Sequence, residues 1–553
     1  MSPDTREPVL TIENLTIDLP PGADRAHAVE DVSFELYQRE TLCIVGESGS
    51  GKSLTAAAIL GLLPEPHVRA SGGAIRFGTE DMLKISRDRL RRIRGAGIAM
   101  IFQEPMTALN PLMTIADQID EVIRYHESWP SERRHARIIE VLDAVRMPDP
   151  PAIARAYPHQ LSGGQRQRAM IAMALALEPK VLIADEPTTA LDVTTQAQIL
   201  KLIKDLQTEH QTGVLFITHD FGVVAEIADR VGVMQHGKLV EFNEADEVLN
   251  RPQHPYTKAL IAAVPSTVPR IRKRFEDAPL VLTVQKLDKV FRTGRSLFGL
   301  HVRTVHAVKA VDLEVRRGET LGIVGESGSG KSTAARCIVR LVKPDSGTVL
   351  VDGTDILALS GRNLRPFRKR IQMIFQDPYA SLNPRYKVGR IISENPIIHG
   401  MDRAEAHHRT HELLELVGLD ARAADRYPHE FSGGQRQRIG IARALALDPE
   451  VLIADEPVSA LDVSVQAQVL ALLDDIRDRL NLAMVFITHD LRVAAQVCDT
   501  VAVMQHGKVV EHGLVAQVFA DPQHAYTQEL LSSIPGKHWQ PPATGLDTAE
   551  VAS

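Results

Sequence analysis

The sequence predicts an α/β protein made of two tandem copies of one domain. Several segments occur twice, namely GESGSGKS at Gly46–Ser53 and Gly325–Ser332, VLIADEP at Val181–Pro187 and Val451–Pro457, and FITHD at Phe216–Asp220 and Phe486–Asp490. An apolar, strand-like run precedes each GESGSGKS and a helix-like run follows it. The apolar half of VLIADEP is typical of a buried parallel strand. Long repeats of this kind indicate that both halves share one fold.

The spacing between the copies predicts where they differ. Equivalent residues are 279 positions apart at Gly46 and Gly325, 273 apart at Gln103 and Gln376, and 270 apart from Ser162 and Ser432 onward. Length changes are therefore expected in loops or a peripheral subdomain that precedes Ser162 and Ser432. We predict a first domain at 1–265, a linker at 266–279, a second domain at 280–535, and a disordered polar tail at 536–553.

Composition excludes several classes of protein. The 553 residues carry a formal net charge of −7, which argues against a general nucleic-acid binder. The longest apolar run, Ala169–Leu177, is far shorter than the roughly 18 residues that span a bilayer. The charged N-terminus lacks the apolar region of a secretory signal. Because Cys43, Cys337 and Cys498 are far apart, a disulfide framework or a four-cysteine zinc site is not expected.

Each GESGSGKS segment fits the pattern of a phosphate-binding P-loop in the strand–loop–helix context that makes the pattern specific. Its backbone N–H groups and the N-terminus of the following helix would surround phosphates. Lys52 and Lys331 would neutralise the β- and γ-phosphates, and Ser53 and Ser332 would hold Mg²⁺. The predicted nucleotide-binding residues of the two loops are Gly46, Glu47, Ser48, Gly49, Ser50, Gly51, Lys52 and Ser53, and Gly325, Glu326, Ser327, Gly328, Ser329, Gly330, Lys331 and Ser332.

The second half of each predicted site is the end of VLIADEP. Asp185 and Asp455 would face Mg²⁺, and the adjacent Glu186 and Glu456 would polarise the attacking water. Two consecutive carboxylates at a buried strand end are costly without a cation, so a purely structural role is not expected.

The segments LSGGQRQR at Leu161–Arg168 and FSGGQRQR at Phe431–Arg438 resemble the signature of the ATP-binding cassette (ABC) ATPase family. Together with the motifs above, they extend this resemblance from about Val9 to Pro535. The resemblance implies two P-loop ABC ATPase domains. Each would have a RecA-like core, a helical subdomain and a short C-terminal extension.

The resemblance also implies roles for single residues. Gln103 and Gln376 match the glutamine that senses Mg²⁺ and the γ-phosphate, so the implied Mg²⁺ set is Ser53, Gln103, Asp185, Ser332, Gln376 and Asp455. His219 and His489 match the switch histidine, and Asp192 and Asp462 match the D-loop aspartate. Because both halves keep every one of these residue types, we expect two hydrolytic sites.

In this family two cassettes close head-to-tail around two ATP molecules. The Lys52 site would then use Ser432, Gly433, Gly434 and Gln435, and the Lys331 site would use Ser162, Gly163, Gly164 and Gln165. Phe291 stands where the family has an aromatic residue that stacks on adenine, whereas the first half has Leu19 there. Since stacking on a base contributes about 1–3 kcal/mol, weaker ATP binding is expected at the first site unless another aromatic substitutes.

The segments that follow each cassette indicate one subfamily of ABC ATPases. RPQHPYTKALIAAVP at Arg251–Pro265 and DPQHAYTQELLSSIP at Asp521–Pro535 resemble the HPYT extension of dipeptide and oligopeptide importer ATPases. Two fused cassettes resemble the single-subunit ATPases of peptide importers of the glutathione and microcin C types.

This likeness implies a peripheral protein on the cytoplasmic face of the plasma (inner) membrane. Its partners would be two integral-membrane permeases and a periplasmic or extracellular solute-binding protein, with no nucleic acid. Family permeases insert a coupling helix near the segments that match Gln103–Pro111 and Gln376–Pro384, and the same contact is expected here.

Three other classes of protein are alternatives to a peptide importer ATPase. A soluble twin-cassette translation factor that acts on the ribosome usually has a long charged helical linker and no HPYT segment. A DNA-repair cassette ATPase carries zinc motifs or long coiled coils, and a fused sugar importer lacks HPYT segments. The short linker and the duplicated HPYT-like segment argue against the translation factor. The sequence shows neither zinc motifs nor long coiled-coil insertions, which argues against the DNA-repair ATPase, and the HPYT-like segments argue against the sugar importer. The cargo stays open among peptides, glutathione, peptide antibiotics, opines and nickel chelates.

Overall fold

The structure is a computed structural model that describes residues 7–188, 191–270, 275, 277–293, 303–459 and 461–542. It divides into two compact units. Unit 1 comprises Met1–Leu191, Thr195–Val264 and Pro535–Ser553, and unit 2 comprises Asp192–Thr194 and Pro265–Ile534.

Unit 1 contains two β-sheets and a set of helices. Its strands are β1 (Pro8–Asp18), β2 (His27–Tyr37), β3 (Thr41–Val45), β4 (Arg69–Phe77), β5 (Glu80–Asp81), β6 (Ile98–Ile101), β7 (Val181–Asp185), β8 (Gly213–Thr218), β9 (Arg230–Gln235) and β10 (Lys238–Glu244). Its helices are α1 (Lys52–Ile59), α2 (Arg87–Ile93), α3 (Pro105–Ala108), α4 (Ile115–His126), α5 (Ser131–Ala144), α6 (Pro150–Ala154), α7 (Gly163–Leu175), α8 (Val193–His210), α9 (Phe221–Ile227), α10 (Ala245–Asn250) and α11 (Pro255–Ala262).

The larger sheet of unit 1 positions the predicted motifs. Its strand order is β10-β9-β3-β8-β7-β6, and every neighbouring pair is parallel except β9 with the edge strand β10. The central strands β3, β7 and β8 are buried along their whole length, which explains their continuous apolar runs. The predicted buried parallel strand in VLIADEP is therefore confirmed. A second, antiparallel sheet has the order β2-β1-β4-β5.

Helices α3 to α7 lie between β6 and β7 in the chain. Thr114 begins α4 and Ser162 begins α7 with reciprocal capping boxes, in which each side chain accepts from the backbone N–H three residues on. The signature serine is thus the residue that starts its own helix.

Unit 2 repeats this architecture. Its strands are β11 (Leu280–Thr293), β12 (Arg303–Arg316), β13 (Thr320–Val324), β14 (Ser346–Val351), β15 (Thr354–Asp355), β16 (Ile371–Ile374), β17 (Val451–Asp455), β18 (Ala483–Ile487), β19 (Thr500–Gln505) and β20 (Lys508–Leu514). Its helices are α12 (Lys331–Ile338), α13 (Arg365–Arg370), α14 (Pro378–Ser381), α15 (Val388–Ile398), α16 (Arg403–Leu416), α17 (Gly433–Leu445), α18 (Val463–Leu480), α19 (Leu491–Val497), α20 (Val515–Ala520) and α21 (Ala525–Ser532). The sheets have the orders β16-β17-β18-β13-β19-β20 and β12-β11-β14-β15, which are those of unit 1.

The first residues of the C-terminal tail make specific contacts within unit 1. The Gly536 N–H donates to Glu226 Oε2 at 3.2 Å, and Trp539 Nε1 donates to Asn250 Oδ1 at 3.1 Å. Residues 543–553, the rest of the tail that we predict to be disordered, lie outside the described residues, as do linker residues 271–274 and 276.

Two observations bear on the expectations from composition. Cys43, Cys337 and Cys498 are all buried, and the described residues contain no disulfide. Within the described ranges, none of the helices combines the length and apolar character that a membrane crossing requires.

Phe216 in β8 and Phe486 in β18 are the equivalent, fully buried aromatic side chains of the two sheets. Replacement of either by Ala is expected to cost its own unit about 3–5 kcal/mol in free energy of unfolding, because it leaves a cavity in a closely packed core. Hydrogen–deuterium exchange with peptide resolution would measure this loss in the Phe216→Ala and Phe486→Ala chains. Each variant is the control for the other, and equal loss of protection in both units from one substitution would contradict the expectation.

Candidate nucleotide sites

The P-loop of unit 1 joins β3 to α1 through glycines that no other residue could replace without strain. Gly46 has φ 150°, and a Cβ there would lie 2.2 Å from the Met234 carbonyl oxygen. Gly51 begins α1 with φ 105°, in the left-handed region that favours glycine. In unit 2 Gly325 has φ 145°, and its Cβ would lie 2.2 Å from the Met504 carbonyl oxygen. Both loops therefore keep the same close-fitting shape.

The P-loop lysines lie within the curve of their own loops. Lys52 Nζ donates to the carbonyl oxygens of Gly46 and Glu47, both at 2.8 Å. Lys331 Nζ makes the same bonds to Gly325 at 2.7 Å and to Glu326 at 2.8 Å. Each buried ammonium group is thus held beside the backbone that would surround phosphates.

The aspartates that end β7 and β17 contact the P-loop serines. Ser53 Oγ donates to Asp185 Oδ1 at 3.0 Å, and Ser332 Oγ donates to Asp455 Oδ1 at 2.8 Å. Burial raises the pKa of Asp185 to about 6 and raises that of Asp455 as well. Asp455 Oδ2 is buried, and the described residues supply it with no hydrogen-bond donor. A buried carboxylate with an unused oxygen beside a serine hydroxyl suits a hard cation such as Mg²⁺.

A glutamate, a glutamine and a histidine form a cluster at each site. In unit 1 Gln103 Nε2 donates to Glu186 Oε2 at 2.9 Å, and His219 Nδ1 lies 3.3 Å from Glu186 Oε1. Glu186 has φ 45°, a strained conformation for a side chain of this size. Such strain is found where the surrounding structure fixes a functional group, and here it aims the carboxylate at the glutamine and histidine.

Unit 2 repeats the cluster with close agreement. Gln376 Nε2 donates to Glu456 Oε2 at 2.9 Å, His489 Nδ1 lies 3.1 Å from the same oxygen, and Glu456 has φ 46°. Burial by itself would raise the pKa of Glu456, but His489, Lys331 and Gln376 together more than offset it, so this pKa lies below its usual value. Burial by itself would lower the pKa of His489, but Glu456 raises it above its usual value. The pair therefore favours a carboxylate beside an imidazolium.

The residues that line the site in unit 1 surround a cavity of about 640 Å³. The predicted residues among them are Leu19, Glu47, Ser48, Gly49, Ser50, Gly51, Lys52, Ser53, Gln103 and Glu186. The signature serines Ser162 and Ser432 lie at the N-termini of α7 and α17. Asp462 caps α18 in unit 2. Phe291 lies in β11 with 37% of its surface exposed, and Lys289 Nζ is 5.4 Å from its ring centroid.

Two kinds of residue were missed by reasoning from the sequence. The first is the tyrosine of each HPYT-like segment. The Glu47 N–H donates to Tyr256 Oη at 3.2 Å, and the Glu326 N–H donates to Tyr526 Oη at 3.0 Å. Burial raises the pKa of Tyr526 to about 12, so the phenol keeps its proton. The repeat of HPYT-like segments marked these tyrosines as paired, but nothing in the sequence placed them beside the P-loop.

The second missed residue is Arg25, in the loop between β1 and β2. Its guanidinium donates to the Gly49 carbonyl oxygen, and its side chain lines the cavity together with Leu19. The Arg25 Nε atom is buried and has no hydrogen-bond partner among the described residues. Arg25 thus lines the first site together with Leu19, and the aromatic side chains of Tyr256 and His236 line the same cavity.

Comparison with known proteins agrees with this geometry. The family model described as "ABC transporter" matches residues 29–189 and 308–459. The model described as "Oligopeptide/dipeptide transporter, C-terminal region" matches residues 240–293 and 510–547. Each cassette is therefore followed by its own copy of that region.

Relatives match over nearly the whole chain. The glutathione import ATP-binding protein GsiA of Salmonella typhimurium is 48% identical over 96% of this chain and 90% of its own length. The protein of that name from Escherichia coli O157:H7 is 48% identical over 95% of this chain and 89% of its own length. A solved dimeric ATP-binding cassette with bound ADP and phosphate covers 42% of this chain and 98% of its own, with 30% identity and a TM-score of 0.38.

The two family-model matches and the GsiA relatives confirm the predicted fold class of two tandem ABC cassettes and the predicted ATPase activity. The chain belongs to the ABC transporter family, as a twin-cassette, ATP-binding ATPase that carries the oligopeptide/dipeptide C-terminal region twice.

Proposed function

We propose that this ATPase energises the import of peptides or peptide-like solutes through two integral-membrane permeases, served by a periplasmic or extracellular solute-binding protein. The observation that carries the proposal is the oligopeptide/dipeptide C-terminal region behind each of two complete ATPase sites. The relatives that match over the chain are named as glutathione import proteins, so glutathione is one peptide-like cargo to test. The chain would act peripherally, at the cytoplasmic face of the membrane.

The residues of each cluster support the hydrolytic step. Glu186 and Glu456 would accept a proton from the attacking water. Gln103 in unit 1, and Gln376 and His489 in unit 2, hold that carboxylate by hydrogen bonds. His219 lies 3.3 Å from it in unit 1, and both glutamines and both histidines would contact the γ-phosphate. The P-loop backbone and lysine would bind the phosphates and stabilise charge on the transferred group.

Mg²⁺ is part of the proposal. When bound, Mg²⁺ neutralises charge on the β- and γ-phosphates. Ser53 with Asp185, and Ser332 with Asp455, would hold it, because these oxygens already lie together and Asp455 Oδ2 lacks a protein donor. Gln103 and Gln376 would complete the set.

The first site would hold the base differently from the second. Phe291 would stack on adenine at the second site. At the first site the Arg25 guanidinium, which lines the cavity beside Leu19, offers a planar cation that can stack on an aromatic base. The pairing of each P-loop with the signature of the other cassette, by Ser432–Gln435 and Ser162–Gln165, stays a prediction.

Glu186→Gln and Glu456→Gln are each expected to lower ATP hydrolysis at their own site about 10²–10⁴-fold, because the substitution removes the base and keeps the side-chain shape. ATP turnover and solute uptake by vesicles that contain the whole transporter would be measured for both single variants and the double variant. Exposed Glu140→Gln is the matched control. Full uptake by either single variant would show that its site is not required.

Tyr256→Phe and Tyr526→Phe remove the hydroxyl that contacts the P-loop, and each is expected to weaken ATP binding at its own site about 3–10-fold. The physical reason is the loss of the hydrogen-bond acceptor for the Glu47 or Glu326 N–H, which fixes the loop. Fluorescent-nucleotide titration would measure this with the other site silenced by Lys331→Ala or Lys52→Ala. Exposed Tyr125→Phe is the control. Equal nucleotide affinity in all variants would show that the two tyrosine hydroxyls do not contribute to ATP binding.

The partners can be tested directly. Purification of the tagged chain from native membranes in mild detergent is expected to recover two polytopic permeases in equal amounts. Silencing of ATP binding by the Lys52→Ala, Lys331→Ala double variant should leave this association detectable and abolish uptake. Recovery of ribosomal proteins without permeases would contradict the proposal and favour the translation-factor alternative, which the C-terminal regions do not favour.

A further inference from the structure

Residues 535–539, which we call the C-terminal segment, follow α21 of unit 2 in the chain but belong to unit 1. Gly536 is buried with φ 62°, and it packs so closely on α9 that an added Cβ would lie 2.6 Å from the Gly222 carbonyl oxygen. Three residues later, Trp539 Nε1 donates to Asn250 Oδ1 at 3.1 Å. The segment is therefore fixed on unit 1 at two points.

The contacts of Gly536 lie along one face of α9. Gly222, Ala225 and Glu226 are three and four residues apart, so they are neighbours on the surface of the helix. The Gly536 N–H donates to Glu226 Oε2 at 3.2 Å, and the same added Cβ would lie 3.2 Å from Ala225 Cβ. The C-terminal segment thus contacts α9 over a full turn of the helix.

Helix α9 begins directly after the switch histidine of unit 1. Thr218 ends β8, and its Oγ1 accepts from the Asp220 N–H at 3.0 Å. Asp220 Oδ1 in turn accepts from the Gly222 N–H at 2.8 Å. His219 therefore stands in a short turn that hydrogen bonds join both to the strand and to Gly222. A shift of α9 at Gly222 would move the imidazole from its position 3.3 Å from Glu186.

Unit 2 uses a different piece of the chain in the same way. Residues 266–270, which we call the linker segment, follow α11 of unit 1 in the chain but belong to unit 2. Gln496 Nε2, on α19, donates to the carbonyl oxygens of Ser266 and Val268, both at 2.9 Å. The linker segment is thus held on the helix that follows the switch histidine of unit 2.

The turn that carries this histidine is built like the turn in unit 1. The Asp490 N–H donates to Thr488 Oγ1 at 3.0 Å, and the Arg492 N–H donates to Asp490 Oδ1 at 2.8 Å. His489 Nδ1 lies 3.1 Å from Glu456 Oε2. The position of α19 therefore determines the position of the imidazole in unit 2 as well.

The two arrangements correspond position by position but use different contacts. Gly536 stands 270 residues after Ser266, and Gln496 stands 270 residues after Glu226. Glu226 accepts from a backbone N–H of the C-terminal segment, whereas Gln496 donates to backbone carbonyl oxygens of the linker segment. Different chemistry thus holds the same helix in both units, which favours a shared role over incidental packing of a polar tail.

We propose that the C-terminal segment positions His219 by holding α9, and that the linker segment positions His489 by holding α19. Hydrolysis at each site then depends on the piece of chain that follows the last helix of the other unit. The inference rests on the hydrolytic roles that the proposed function gives to the two histidines. A misplacement of about 1 Å at a reacting group can slow a reaction up to about 10²-fold, so a loosened helix is enough to slow this step.

Vanadate trapping with a photoreactive ATP would measure hydrolysis at each site of the complete chain. Vanadate retains nucleotide only after hydrolysis, labelling on ice without vanadate measures binding, and mass spectrometry assigns the label to unit 1 or unit 2. Gly536→Val is expected to lower trapping at unit 1 about 10-fold, because a β-branched residue disfavours positive φ and clashes with Gly222. Trapping at unit 2 and ATP binding at both sites should be unchanged.

Further variants test whether the contact itself matters. Lys537→Ala, at an exposed position of the same segment, is the matched control. Glu226→Gln keeps an acceptor for the Gly536 N–H and should retain trapping, whereas Glu226→Ala should lower it. The Gly536→Val, Glu226→Ala double variant should be no slower than Gly536→Val, because both substitutions break one contact. Gln496→Ala should lower trapping at unit 2 alone.

His219→Ala separates two kinds of failure. Full trapping at unit 1 by His219→Ala would overturn the proposed hydrolytic cluster together with this inference. Loss of trapping by His219→Ala, with full trapping by both Gly536→Val and Trp539→Ala, would overturn this inference alone. Equal loss at both units, or weaker ATP binding at unit 1, would assign the segment a purely structural role and would also overturn it. Because the assay needs no permease, its outcome is independent of the import proposal.

Discussion

The hydrogen bond between the P-loop serine and the aspartate at the end of the neighbouring apolar strand is the contact on which both ATP sites depend. It measures 3.0 Å in unit 1 and 2.8 Å in unit 2, and it joins two segments that are more than a hundred residues apart in the chain. The parallel order β3-β8-β7 makes it possible, because the carboxyl ends of these strands all face one edge of the sheet. Burial of the aspartate disfavours its charge, so the same contact makes a bound cation favourable.

The strained glutamate follows from the same arrangement. Glu186 comes directly after Asp185, so the backbone must turn sharply for both carboxylates to face the site, and φ becomes positive. The hydrogen bond from Gln103 holds the glutamate in this conformation, and His219 lies 3.3 Å from its other carboxylate oxygen. The close approach of Gly46 to the Met234 carbonyl fixes the opposite wall. The positions of the site residues are therefore fixed by backbone conformations that only a few residue types can adopt.

Most of the fold and of each site could be predicted from the sequence, because the chemistry lies at the ends of buried strands. Short contiguous motifs contain the P-loop, Asp185, Glu186 and their copies. These motifs are specific enough to predict a nucleotide site without any structure. Tyr256 contacts Glu47 across 209 positions and Tyr526 contacts Glu326 across 200, and no local pattern encodes such a distance. Arg25 was missed because a single arginine in a polar loop has no periodic or motif signal. The contacts that Gly536 and Trp539 make within unit 1 could not be predicted for the same reason, because a polar, proline-bearing tail has no sequence pattern that indicates where it packs.

Duplication within one chain explains why conserved chemistry and divergent surfaces can coexist. Each ATP site must bind the same phosphates, so a change in the P-loop, the carboxylates or the glutamine is penalised in either copy. Beside the glutamine loop the two copies differ, since Arg443 stands where the first half has Met173, and Tyr386 stands where it has Met113. Separate cassettes with unequal faces would pair at random, whereas a covalent link keeps one of each in every molecule at high effective concentration. Fusion of the cassettes thus places two matching candidate ATPase sites and two unequal surfaces in one chain.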